Sequence, residues 1–253
     1  MKLHFKEFGE GETLIVLHGL LGMLDNWQSP ANVYSKQFRT ILLDARNHGH
    51  SPHSHEFDYE VMAADLLEFM DDHGIEHAHL LGHSMGGKTA MKFAQNHPER
   101  VDKLIVADIG PKPYPVHHEQ ILAALNEVDF SLVSRRSEIE PILERRIPDW
   151  GVRQFLLKNV YWVEKGKLGY RFNLRAIENN IEHVGDEIED EVYHGETLFV
   201  RGSKSDYILD YDWPDVQLTF PNATLENVEG AGHWLHADKP ETFNATVLNF
   251  LKA

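Results

Sequence analysis

The sequence predicts an α/β fold, a mostly parallel central sheet flanked by helices with one helical lid inserted into it. Three observations carry that prediction. Strand-like apolar runs alternate with amphipathic, helix-like runs at both ends of the chain. The alternation stops between residues 110 and 190, and a serine stands in Gly-x-Ser-x-Gly where a strand-like run meets a helix-like one.

The elements follow in order. LHFKEF (3–8) and TLIVLHG (13–19) read as the first strands, and a helical stretch over 25–36 precedes the strand FRTILLD (38–44). DYEVMAADLLEFMDDHG places apolar residues at helical spacing and ends on a glycine stop at Gly74. HAHLLG, LLGHSMGGK and KTAMKFAQNH supply a buried strand, a tight turn and a helix, and VDKLIVAD (101–108) is a further buried strand. Then come four helix-like stretches, 117–128, 134–146, 149–158 and 173–184, with no comparable strand among them. ETLFVRG (196–202), ATLENV (223–228) and an amphipathic helix from Lys239 resume the alternation. Residues 1–110 and 191–253 are therefore read as the sheet core, and 111–190 as the lid.

A chain of 253 residues is long enough to bury one substantial core. Its 24 basic and 40 acidic side chains give a formal charge of −16, which repels a nucleic-acid backbone and an anionic membrane surface alike. Cysteine is absent, so disulfides, thiolate metal sites and cysteine nucleophiles are excluded. The start, MKLHFKEFGEGETLIVLHG, mixes charged with apolar residues unlike a signal peptide, and no run approaches the roughly 20 apolar residues that span a bilayer. A soluble, cytoplasmic protein is expected.

Ser84 is the candidate nucleophile. Gly82 and Gly86 permit a sharp strand-to-helix reversal that lifts its hydroxyl above the sheet edge, whereas a serine at a helix start is otherwise an ordinary N-cap. Serine needs a base, and position selects among 17 histidines. His233, in the glycine-rich turn of EGAGHWLHADKP between the last strand and the last helix, holds the base's place in the order nucleophile, acid, histidine. His236 is its nearby decoy, expected at a cap or on the surface, and His83 is expected to pack structurally, away from the nucleophile. The oxyanion donors are expected to be the backbone N–H groups of Leu20, after the strand exit HGLLG, and of Met85, at the turn.

The motifs HGLLG, DARNHGHSP, GHSMGGKTAM, VADIGP and GAGHWLHADKP occur in an order and spacing that resembles the YbfF-type esterase branch of the α/β-hydrolase superfamily. The resemblance is specific over both sheet segments and weak over the lid. It implies a serine esterase or thioesterase that needs no cofactor and takes a small-molecule acyl ester through an acyl-enzyme. For the acid of the triad, most α/β-hydrolases use the loop after the strand following the lid, here RGSKSDYILD with Ser205 at the aligned position and Asp206 one residue late. The resembled branch places it after the preceding strand, at Asp108. Asp108 is favoured, Asp206 is the alternative acid, and Ser205 is an auxiliary hydrogen-bond partner. Two other functions share the fold: hydrolysis of carbon–carbon bonds, and small-molecule reception with slow turnover.

His48, His50, His53 and His55 are closely spaced in DARNHGHSPHSH, but Gly49, Pro52 and two serines make that stretch an open loop rather than a converging metal site. Phe130, Trp150, Phe155, Tyr161, Trp162, Tyr170 and Phe172 are expected to pack the lid, with some of them roofing an apolar pocket. Lys88, Asn26 and Trp27 are read as packing or surface residues.

Overall fold

Seven of the strand-like runs form one sheet in the computed structural model, which describes residues 1–116, 118–188 and 191–253. They are β1 (Phe5–Phe8), β2 (Thr13–Leu17), β3 (Arg39–Leu43), β4 (Ala78–His83), β5 (Val101–Ala107), β8 (Thr197–Gly202) and β9 (Ala223–Val228), with β6 (Val160–Glu164) and β7 (Lys167–Tyr170) forming a separate hairpin. The sheet order is β1-β3-β2-β4-β5-β8-β9, parallel throughout except for β1 at its edge. Consequently the exits of β2, β4, β5 and β8, four neighbouring strands, open side by side at the carboxyl edge of the sheet, where ligands bind in folds of this kind.

Side-chain alternation divides the core in two. Leu14, Val16, Leu42, Leu81 and Ile105 face α1 (Gln28–Tyr34) and α11 (Pro240–Lys252), which the Tyr34 hydroxyl also joins through a bond to Asn244 of 2.7 Å. Ile15, Leu17, Ile41, Leu80 and Leu104 face the other way, onto α2 (Tyr59–Asp72) and α3 (Met85–Asn96). Asp58 caps α2, its carboxylate accepting from the Val61 N–H at 2.9 Å.

Between β5 and β8 lie α4 (Glu119–Asn126), α5 (Arg136–Glu144), α6 (Trp150–Leu157), the hairpin, α7 (Leu174–Asn179) and α8 (Ile181–Val184). The sheet then continues with α9 (Trp213–Thr219) and α10 (Leu235–Asp238). The hairpin corrects the expectation of a wholly helical insertion. VYWVE is rich in β-branched and aromatic residues and Gly166 turns with a φ of 86°, yet only Val160 and Leu168 are buried, so no apolar run marks the strands. Residues 117 and 190, expected ends of a helix and of the lid, lie outside the described residues. Leu143, Leu156, Val160 and Phe172 of the insertion are continuous with the α2–α3 core. No helix among the described residues is long and apolar enough to cross a membrane.

Candidate active site

The turn after β4 is held by close backbone approach. A Cβ on Gly82 would lie 2.2 Å from the Gly86 carbonyl oxygen, and one on Gly86 would lie 2.4 Å from that of Leu17. Ser84, between them, takes φ 54° and ψ −120°, a conformation that costs about 1–3 kcal/mol and persists only where its surroundings enforce it. Its side chain does not cap its own helix, so the hydroxyl is left facing a cavity of about 270 Å³. His233 lines the same cavity.

His233 Nδ1–H donates to Asp108 Oδ2 at 2.7 Å. Asp108 is fully buried at the exit of β5; its Oδ1 accepts from the Gly202 N–H at 2.9 Å, and its Oδ2 also accepts from the Ser205 hydroxyl. Asp206 is exposed and makes no hydrogen bond or ion pair among the described residues. The Tyr207 ring stacks on the His233 imidazole, centroids 4.1 Å apart and planes inclined by 20°. Behind the imidazole, His83 Nε2–H donates to the His233 carbonyl at 2.8 Å, and burial holds His83 neutral, well below the usual histidine range.

His236 is neither a cap nor a surface residue. It is half-buried, stacks on Trp27 at 4.1 Å, and lines the cavity with it; desolvation of the imidazole pushes it down to about 3. The HADKP stretch looks polar, and the contacts of this ring with Trp27, His83 and Phe243 leave no trace in the local sequence.

Leu20 lines the cavity and Met85 follows Ser84; among the described residues neither backbone N–H has an acceptor in the protein. The loop carrying Leu20 is clamped by two neutral imidazoles. His18 donates from Nδ1 to the Gly19 carbonyl at 2.8 Å and accepts at Nε2 from the Ala45 N–H at 3.0 Å. His48 donates from Nδ1 to the Arg46 carbonyl at 2.9 Å and accepts from the Leu21 N–H at 3.0 Å, with burial lowering it to about 3. Leu21 has φ 58°, and its carbonyl accepts from the Asn159 amide of the insertion at 2.8 Å. Sequence reasoning missed Asn159 and Tyr207. KNVYW carries no motif, and Tyr207 stands out only as the neighbour of Asp206.

The four loop histidines diverge: His48 is buried beneath Leu21, while His50 and His53 meet Arg171 at the surface and His55 is exposed. No group of three or more His, Cys, Asp or Glu among the described residues is arranged to hold a metal. Of the insertion's named aromatic residues, Phe155 lines the cavity; Trp150 and Trp162 are exposed, and Phe172 is buried under Tyr170. Lys88 is fully buried and donates to the Lys112 carbonyl at 2.9 Å and to the Asp186 carbonyl, joining both ends of the insertion to α3.

A family model for the alpha/beta hydrolase fold matches residues 12–129. The sn-1-specific diacylglycerol lipase ABHD11 of Danio rerio is 38% identical over 253 residues, spanning 96% of this chain and 80% of the relative. Esterase YbfF of Escherichia coli strain K12 is 34% identical, spanning 94% of this chain and 92% of the relative. The solved structure of a marine microorganism esterase superposes with a TM-score of 0.96 at 45% identity, covering 98% of this chain and 99% of that one. The chain belongs to the α/β hydrolases. Within that family it belongs to the YbfF-type esterase branch.

Proposed function

We propose that the protein is a serine esterase that hydrolyses small-molecule acyl esters or thioesters through an acyl-enzyme on Ser84. The reading is carried by one observation, the 2.7 Å bond from His233 to the buried Asp108 at the wall of the cavity that Ser84 faces. A carboxylate there fixes the imidazole tautomer with Nε2 free to accept a proton, and stabilises the imidazolium once formed. Ser84 Oγ attacks the carbonyl carbon as its proton passes to His233 Nε2, and the carbonyl oxygen, now negative, is held by the Leu20 and Met85 N–H groups. Collapse breaks the bond to the alcohol or thiol, which leaves with the proton from His233. Water then attacks the acyl-enzyme with His233 as base, and Ser84 is regenerated as the acid departs.

Incubation with a fluorophosphonate followed by peptide mass analysis tests the nucleophile. An adduct on Ser84, together with a loss of about six orders of magnitude in ester turnover for Ser84→Ala, is the expected result. An unlabelled Ser84 overturns the proposal.

A further inference from the structure

Ser84 stands at the junction of two hollows. The larger, about 270 Å³, runs past Trp27, Phe155 and Trp234. The smaller, about 30 Å³, is closed by Tyr59, Ile109, Tyr114, Val116, Val184 and Gly185. Leu20, Ser84, His118 and Tyr207 border both, His233 borders the larger alone, and Met85 borders the smaller of the two. Given the esterase reading above, on which this inference rests, that asymmetry orients the substrate. The leaving atom takes its proton from His233, so the alcohol or thiol side must extend into the larger hollow. The carbonyl oxygen points to the Leu20 and Met85 N–H groups, and the acyl substituent is directed to the side that Met85 borders.

We infer that the small hollow is the acyl site and that the enzyme is selective for short, neutral acyl groups while tolerating bulky, apolar alcohols or thiols. One water needs about 10–15 Å³ on this measure, so the hollow takes two or three atoms beyond the carbonyl carbon, an acyl group of up to about four carbons. Its walls are fixed. The Tyr59 hydroxyl donates to the Val184 carbonyl at 2.7 Å; the Tyr114 hydroxyl donates to the Tyr207 carbonyl at 2.5 Å and accepts from the Gly110 N–H at 2.8 Å. The Tyr114 N–H donates to the Gly185 carbonyl at 2.8 Å, and a Cβ on Gly185 would lie 2.3 Å from the Tyr114 carbonyl oxygen, so the two ends of the insertion seal the floor. Burial raises both phenols, which stay neutral, and Ile109, Pro115, Val116 and Val184 make the far wall aliphatic, with the His118 imidazole at the border shared with the larger hollow, which favours an uncharged acyl chain at the far end.

A two-way ester panel tests the assignment, with p-nitrophenyl acetate, butyrate and octanoate varying the acyl side and phenyl and 1-naphthyl butyrate varying the alcohol. kcat/KM is expected to fall at least about tenfold from butyrate to octanoate, and to stay within about threefold between phenyl and naphthyl. Val184→Ala, which opens the small hollow, should raise the octanoate-to-butyrate ratio by about tenfold, and Phe155→Ala should move the naphthyl-to-phenyl ratio instead. Thermal unfolding of each variant accompanies the rates; if Val184→Ala is unfolded, Val116→Ala gives the same reading. Octanoate cleaved as fast as butyrate, or an acyl ratio moved by Phe155→Ala and not by the small-hollow variant, overturns the inference while leaving the esterase reading intact. An absence of turnover on every ester overturns the esterase reading and this inference with it.

Discussion

Asp108 combines a left-handed φ of 53° with complete burial, and both of its carboxylate oxygens accept hydrogen bonds. A conformation costing about 1–3 kcal/mol is maintained there by partners on two separate strand exits, which is how a strained position serves a site. Asp108→Asn preserves the shape but not the charge, and steady-state kinetics should show kcat lower by about four orders of magnitude. Asp206→Asn, altering an exposed side chain, should leave kcat within about threefold. Spacing along the chain did not separate these two aspartates. Their surroundings differ because β5 lies beside β8, so the end of β5 meets Gly202 and the histidine turn, whereas Asp206 projects from the loop beyond into solvent. Ser84 and His233, by contrast, are marked by glycine turns that the local sequence prints directly.

At the scale of elements, the insertion is tied once to the Leu20 loop and once to the neighbouring loop after β3. Asn159 holds the Leu21 carbonyl, and Asn173 donates from its backbone N–H to the Asn47 carbonyl at 2.8 Å and from its amide to Asn47 Oδ1 at 3.2 Å. Leu21 and Asn47 both have positive φ, and His48 lies between their segments, bonded to Leu21. The grip of the insertion on the Leu20 loop therefore bears on where the Leu20 N–H points. Asn159→Ala should reduce kcat about tenfold with KM nearly unchanged, as expected of a donor set slightly out of place for the oxyanion, and separate KM and kcat values check it. The helices of the insertion were legible from their 3.6-residue spacing. Its hairpin and its two asparagine ties were not, because half-exposed strands and side-chain to carbonyl bonds leave no periodic trace.

For the whole molecule, burial keeps His18, His48, His83 and His236 neutral, with lowered folded-state values. Unfolding releases them to titrate near 6.5, so the unfolded chain binds more protons as pH falls below that value. Stability is therefore full above about pH 6.5 and declines toward about pH 3, each such histidine contributing at most about 1.4 kcal/mol per pH unit. Thermal melts between pH 7 and 4 should trace that decline, and His236→Phe, which removes an imidazole whose Nδ1 has no partner and retains a ring for Trp27, should flatten it. The fold alone does not separate ester from carbon–carbon hydrolysis. Comparing p-nitrophenyl butyrate with a vinylogous diketone does: turnover of the ester and not of the diketone is expected. The Lys88 ammonium, finally, gathers the carbonyls of Lys112 and Asp186, and Tyr114 bonds Gly185 beside it. The insertion thus departs and returns through one narrow neck, and loop-closure cost grows only slowly with the length of chain strung between fixed ends. A neck of that kind is a natural graft point. Segments of other lengths could be exchanged there with the sheet undisturbed, provided each brings an apolar underside to replace Leu143, Leu156 and Phe172, so the insertion is free to change in length and sequence separately from the sheet that carries Ser84, Asp108 and His233.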